Sequence, residues 1–234
     1  MNIKLKIESL IEIKQKGTTM NIRKDLEALF VSQDLLNKET CGEDWKDGFC
    51  DNGKKSTYVE AAICELAEYL ESTNWKHWKE TEEDTENAKV ELVDTMFFVL
   101  SMILSKRNEE RVIDDFIVYA SEPRTDTPSF LGMIKNIVNF NDTGTTFVAA
   151  MLISDIIRLA EIKGLDWKAF KGLYIGKNAL NYLRTRNGYK DGKYIKVWDG
   201  VEDNKWMMKY IEEDFETFDE LYNKLEAKYK EISQ

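Results

Sequence analysis

The chain has 234 residues, of which 43% are apolar and 32% charged, enough for one globular domain with a real core. The net charge of −10 excludes general binding to nucleic acid or to an anionic membrane surface. Two prolines and twelve glycines in the whole length are too few for an all-β fold with its frequent turns, and point to helix.

The opening MNIKLKIESLIEIKQK alternates charged and apolar residues and lacks a signal-peptide core; Gly17-Thr18-Thr19 interrupts its pattern, so residues 1–19 are expected to be a separate, poorly ordered extension. No apolar run reaches the ~18 residues of a membrane span, and a cytoplasmic protein is expected. One helical domain should then fill residues 20–234. Met20 opens a helix with Ile22, Leu26, Leu29, Phe30 and Leu36 at helical spacing. Residues 41–57 are polar and Gly-rich and predict a loop. Helix resumes over 58–70, an acidic connector fills 79–87, and 88–105 is a largely apolar helix. Residues 106–130 are charged, contain Pro123 and Pro128, and are expected to be an irregular insertion. Helices follow at 145–163, where Asp155 and Arg158 suggest an ion pair, and at 166–187, with Asn187-Gly188 as a stop. A turn-rich loop at 188–205 and one terminal amphipathic helix at 206–231 complete the chain.

The side-chain inventory narrows the chemistry. The three cysteines are odd in number and form no CxxC pair, so neither a disulfide framework nor a thiolate zinc site is expected. His77 is the sole histidine, which excludes histidine metal cages. A bound metal must therefore have oxygen ligands, which selects Mg²⁺, Mn²⁺ or Ca²⁺.

Carboxylates at helical spacing supply such ligands. Glu65-x-x-Glu68 lies on one helix, and Glu91-x-x-Asp94 lies on the next, inside the apolar run from Val90 to Leu100. Ionised carboxylates in a buried helix are costly unless paired or coordinated. If the two helices pack face to face, four carboxylates meet around one point. Two or three hard cations there would bind phosphate oxygens and activate a water, with one glutamate as general base. A basic segment lies further on. Residues 177–196 carry six lysines and arginines against the single Asp191. Lys177, Asn181 and Arg184 share one helical face, which suits a polyphosphate.

These elements together resemble the dimeric dUTPases of the all-α NTP pyrophosphohydrolase superfamily. The resemblance rests on Glu65-x-x-Glu68, Trp75-Lys76-His77-Trp78, Glu91-x-x-Asp94 and the run GKNALNYLRTRNGYKDGKY at 176–194. It covers the chain from about Met20 onward, apart from 106–130. It implies an all-α helical bundle, a homodimer, and hydrolysis of dUTP, and of dUDP, to dUMP with Mg²⁺ or Mn²⁺. Glu65, Glu68, Glu91 and Asp94 would hold the ions, with Glu65 as the base. Lys177, Asn181, Arg184, Asn187, Tyr189, Lys190 and Lys196 would hold the phosphates or the sugar. Gln33 and Asn37, with Trp75 stacking, would read the uracil, whose two carbonyls and N3–H amides can satisfy. Phe97-Phe98 departs from the His-Phe pair common in the family. Two other readings stay open in the sequence: the same scaffold acting on dCTP or a damaged nucleotide, and a non-catalytic cation-binding bundle.

Overall fold

The computed structural model describes residues 22–121, 124–213, 215 and 217–233. The extension at 1–19, the start at Met20 and Pro123 lie outside them. The described chain is a helical bundle. In order it forms α1 (Ile22–Cys41), α2 (Tyr58–Glu71), α3 (Thr85–Ser105), α4 (Glu109–Tyr119), α5 (Phe130–Thr143), α6 (Thr146–Ile162) and α7 (Trp167–Arg186). A two-stranded hairpin follows, β1 (Val197–Trp198) with β2 (Val201–Glu202), and then α8 (Asp203–Glu212) and α9 (Phe218–Ile232). No helix among the described residues is long and apolar enough to cross a membrane.

The starts and stops have local causes. Asp84 caps α3 by accepting from the Asn87 backbone N–H at 3.0 Å, and Asp166 caps α7 by accepting from that of Ala169 at 2.8 Å. Past α6, Gly164 takes φ +78°, a left-handed turn that an L side chain adopts only with strain.

Helix α3 is the centre of the bundle, as its apolar sequence predicts. Leu92, Met96 and Leu100 are fully buried, and each such side chain contributes about 1.5–3 kcal/mol by leaving water. Helices α1, α2, α6 and α7 all pack on α3. Most of its apolar surface is thus buried within the chain.

Two pairings set the site. Helices α2 and α3 form the most extensive pair and run antiparallel: Glu65 meets Glu91 near their middles, and the Asp84 N–H reaches the Ser72 carbonyl at one end. Helix α7 runs antiparallel to α3, with Lys177 against Asp94 and Tyr174 against Phe97. It runs parallel to α1: Asp25 meets Lys171, Gln33 meets Tyr174, and Glu39 meets Arg186.

Three expectations need correction. The segment 106–130 is not irregular throughout, because α4 occupies Glu109–Tyr119 and buries Val112, Ile113 and Phe116 under its charged face. The run after it forms α5, which begins at Ser129 with an N-cap bond to Gly132. Asp155 pairs with Arg124 at 2.6 Å, while Arg158 bonds Glu161 and the Asp126 carbonyl. The terminal helix is two helices, α8 and α9, because the chain turns between them and buries Phe215.

The cysteine reading is also corrected. Cys41 and Cys50 form a disulfide, and Cys64 is free and exposed. The loop after α1 folds back so that the Asp51 N–H bonds the Cys41 carbonyl at 2.7 Å, which brings the two Cα atoms to 4.4 Å. Nine residues of separation carry no CxxC signature, so the pairing is invisible until the loop closes.

Candidate active site

One face of α3 carries most of the site. Glu91, Asp94, Phe97 and Ser101 follow one another along it, and from Asp94 to Ser101 the helix rises about 10 Å. At the first end, Glu65, Glu91 and Asp94 each offer an oxygen, and the three oxygens lie within 4.8 Å of one another. Glu68, one turn beyond Glu65, is exposed and stands outside this compact triad. Its charge still acts on Glu65 and Glu91.

The triad is electrostatically crowded. Burial, then the charge of Asp94, then the hydrogen bond with Glu91 push the Glu65 carboxyl well above its ordinary range. Burial and the same Asp94 charge raise Glu91 as well. Lys177 supplies the compensating charge, with its Nζ 2.8 Å from an Asp94 oxygen and its side chain 3% exposed. An all-oxygen donor set, partly buried and mutually repelling, fits a hard divalent cation. Mg²⁺ or Mn²⁺ fits these residues on that ground.

The cationic wall is α7 with the start of α8. The Arg184 guanidinium grips Asp203 through two bonds, Nε to Oδ2 at 2.8 Å and Nη2 to Oδ1 at 2.7 Å. Burial works against its charge, but the Asp203 carboxylate more than restores it, and its pKa stays raised. The Tyr194 hydroxyl donates to the same carboxylate at 3.0 Å. Asn204, the next residue, accepts from Lys177 at 2.8 Å and from Arg184 at 3.3 Å. Asp203 and Asn204 thus position both cations. Sequence reading missed them because they sit within VEDNK, an acidic stretch in an expected loop.

Other members of the expected phosphate set are distributed unevenly. Asn181 accepts a long bond from Arg184 at 3.4 Å, and the Tyr189 ring lies 5.7 Å from the Arg184 guanidinium carbon. Lys190 and Lys196 are exposed at the rim. Asn187 is placed differently: its amide donates to the Leu183 carbonyl at 2.8 Å and closes the end of α7.

At the far end of the α3 face, Gln33 and Asn37 are buried side by side. The Gln33 Nε2 donates to Asn37 Oδ1 and to Ser101 Oγ, both at 3.0 Å, and Asn37 Nδ2 donates to Ser101 Oγ at 2.9 Å. The Tyr174 hydroxyl, its pKa raised by complete burial, donates to Gln33 Oε1 at 2.8 Å. This leaves one N–H on Asn37 and a spare lone pair on each amide oxygen. Phe97 stacks on Tyr174 at 4.2 Å and packs the wall between carboxylates and amides.

Trp75 lies in the connection from α2 to α3 and is 39% exposed. It packs edge-on against Trp78 at 5.3 Å, and His77 packs edge-on against Trp78 at 4.9 Å. Glu71, just upstream, pairs with Lys76. The structure thus joins Glu65, Glu91, Asp94, Lys177 and Arg184 in one constellation, and Gln33 and Asn37 in another.

A family model described as dUTPase matches residues 25–189, more than two thirds of the chain. The chain belongs to the dUTPase family. Its reaction is the hydrolysis of dUTP, as a dUTP diphosphatase. The matched region holds both amides, all four expected carboxylates, α7 and the turn up to Tyr189, while Lys190, Lys196, Asp203 and Asn204 of the enzyme lie beyond it. A comparison with curated proteins gave no match.

Proposed function

We propose that the enzyme is Mg²⁺-dependent, releases dUMP and pyrophosphate from dUTP, takes dUDP as well, and works in the cytoplasm as a homodimer. The observation that carries this reading is the triad Glu65, Glu91 and Asp94 with its oxygens within 4.8 Å, set directly against Lys177. Glu65, Glu91 and Asp94, with Glu68 at the edge, would hold two or three ions. Bound there, Mg²⁺ or Mn²⁺ would polarise the phosphate oxygens and acidify water.

The residues of the chain do the rest. Glu65 accepts the proton of the attacking water. Lys177, Asn181, Arg184 and Tyr189 offer donors to the phosphates, and the two cations among them are held in place by Asp203 and Asn204. Lys190 and Lys196 add positive charge at the rim. Gln33 and Asn37 read the base, while Trp75 stands apart from them within the chain, at the opposite end of α3. Subunit contact falls to apolar side chains outside this site, such as Val118, Leu131 and Phe147, which are exposed on the single chain.

The test is turnover of dUTP, dUDP, dCTP, dTTP and UTP, each with Mg²⁺ and with EDTA. Metal-dependent release of dUMP from dUTP is expected, and Glu65→Gln and Asp94→Asn should each abolish it without unfolding the protein. Full activity of either variant with Mg²⁺ present would overturn the assignment. Preference for dCTP would transfer the same chemistry to another base.

A further inference from the structure

Asn178 on α7 has no work in the site described so far. Its side chain is buried at 1% exposure, and neither Nδ2 nor Oδ1 has a hydrogen-bond partner among the described residues. A buried amide with both ends unpaired is unfavourable, and such groups are rare in folded proteins. An unpaired group retained at that cost marks a place where a ligand supplies the partner.

Its position in the fold says which ligand group. Asn178 is one turn beyond Tyr174, whose hydroxyl bonds Gln33, and is adjacent to Lys177, which pairs with Asp94. On the α7 surface it falls between Tyr174 and Tyr182, and those two residues both lie near α1: Tyr174 bonds Gln33, and Tyr182 feels the charge of Glu39. Asn178 therefore lies toward α1 on the Tyr174 side of α7, about 100° around the helix from Lys177. The amide pair alone is short of donors. A uracil edge needs two donors and one acceptor, while Gln33 has spent both of its N–H groups and Asn37 has one left.

We propose that Asn178 is a specificity-determining residue for the base, with Oδ1 accepting from uracil N3–H and Nδ2 donating to one ring carbonyl. The remaining N–H of Asn37 takes the other carbonyl. This rests on the base site at Gln33 and Asn37 and adds to it the residue that completes the hydrogen-bond count.

Asn178→Ala and the volume-matched Asn178→Leu test it. Each should raise KM for dUTP about 10- to 100-fold, the worth of one or two hydrogen bonds, while kcat changes little. Wild-type enzyme should bind dUMP better than its N3-methyl derivative, and the variants should not distinguish them. The melting temperature without nucleotide should hold or rise, because an unpaired amide has been removed, while the rise caused by dUMP should shrink. In isotope-labelled wild type, the side-chain NH₂ resonances of Asn178 should move when dUMP is added. Unchanged KM with a lowered melting temperature, or unmoved Asn178 resonances on saturation with dUMP, would overturn the proposal. If wild type failed to turn over dUTP, the base-site reading would fail first. Normal wild-type turnover with unaffected variants would sink Asn178 alone.

Discussion

The Lys177 ammonium lies 2.8 Å from an Asp94 carboxylate oxygen, between two helices that are 83 residues apart in sequence at these positions and antiparallel in space. A buried lysine here stands where a divalent cation and a phosphate would meet. Removing it leaves the carboxylate triad without its counter-charge. Lys177→Met should lower stability without divalent ions by roughly 3 kcal/mol, the usual cost of breaking a buried pair from one side. Mg²⁺ should restore much of that loss by binding only the folded state. Thermal melts of both proteins with and without Mg²⁺ measure this, and equal melts in EDTA would contradict it.

The raised pKa of Glu65 has a pH consequence of definite sign. The folded, metal-free site keeps a proton that the unfolded chain has already released at the ordinary glutamate value. The folded state therefore binds more protons, and its stability should fall as pH rises from about 5 through the raised folded value. Divalent ions displace that proton, so their affinity should increase over the same window. Urea titrations across pH 5–8 with EDTA, and calorimetry in buffers of different ionisation heat, read both effects. Glu65→Gln should flatten the stability slope.

Asp203 holds Arg184 through two bonds in a buried pair. Asp203→Ala should destabilise the fold by about 3–5 kcal/mol, because the guanidinium is left without a partner. Asp203→Asn keeps one acceptor and should stay folded, but with Arg184 less firmly aimed. A fall in kcat of at least about tenfold is expected for it, the equivalent of about 1.4 kcal/mol in the transition state. Activity equal to wild type in the folded Asn variant would remove Asp203 from the positioning of the phosphate clamp.

Gly176 precedes Lys177 where α8 crosses α7. A Cβ at this position would lie 2.4 Å from Ile211 Cδ1 and 3.1 Å from its Cγ1. Gly176→Ala should lose about 1–3 kcal/mol to overpacking against Ile211 but gain about 1 kcal/mol of helix propensity, so stability should hold or fall by at most about 2 kcal/mol, with Ile211 and the start of α8 displaced. Adding Ile211→Ala should recover both stability and kcat/KM. A double mutant as impaired as the single one would show that close approach is not the reason for this glycine.

Much of the site is legible along the chain because helical periodicity is a local property. Glu65 and Glu68, Glu91 and Asp94, and Lys177, Asn181 and Arg184 stand at spacings of three or four, so each group is assigned to one face before any packing is known. An apolar run interrupted by two carboxylates announces α3 as both core and site. Composition likewise settles the helical class and the oxygen character of any metal site. What remained hidden depends on contacts between residues distant in sequence. Only the antiparallel packing of α2 on α3 leaves Glu68 exposed while Glu65, Glu91 and Asp94 converge. Only the return of α8 against α7 shows that Asp203 and Asn204 serve the cations. Loop closure decides the Cys41–Cys50 bond, and the register of α7 beside α1 leaves Asn178 buried with no partner. Side-chain type and spacing determine which groups can act together on one helix, and the meeting of helices determines which charges are paired, which are crowded and which remain free for the substrate.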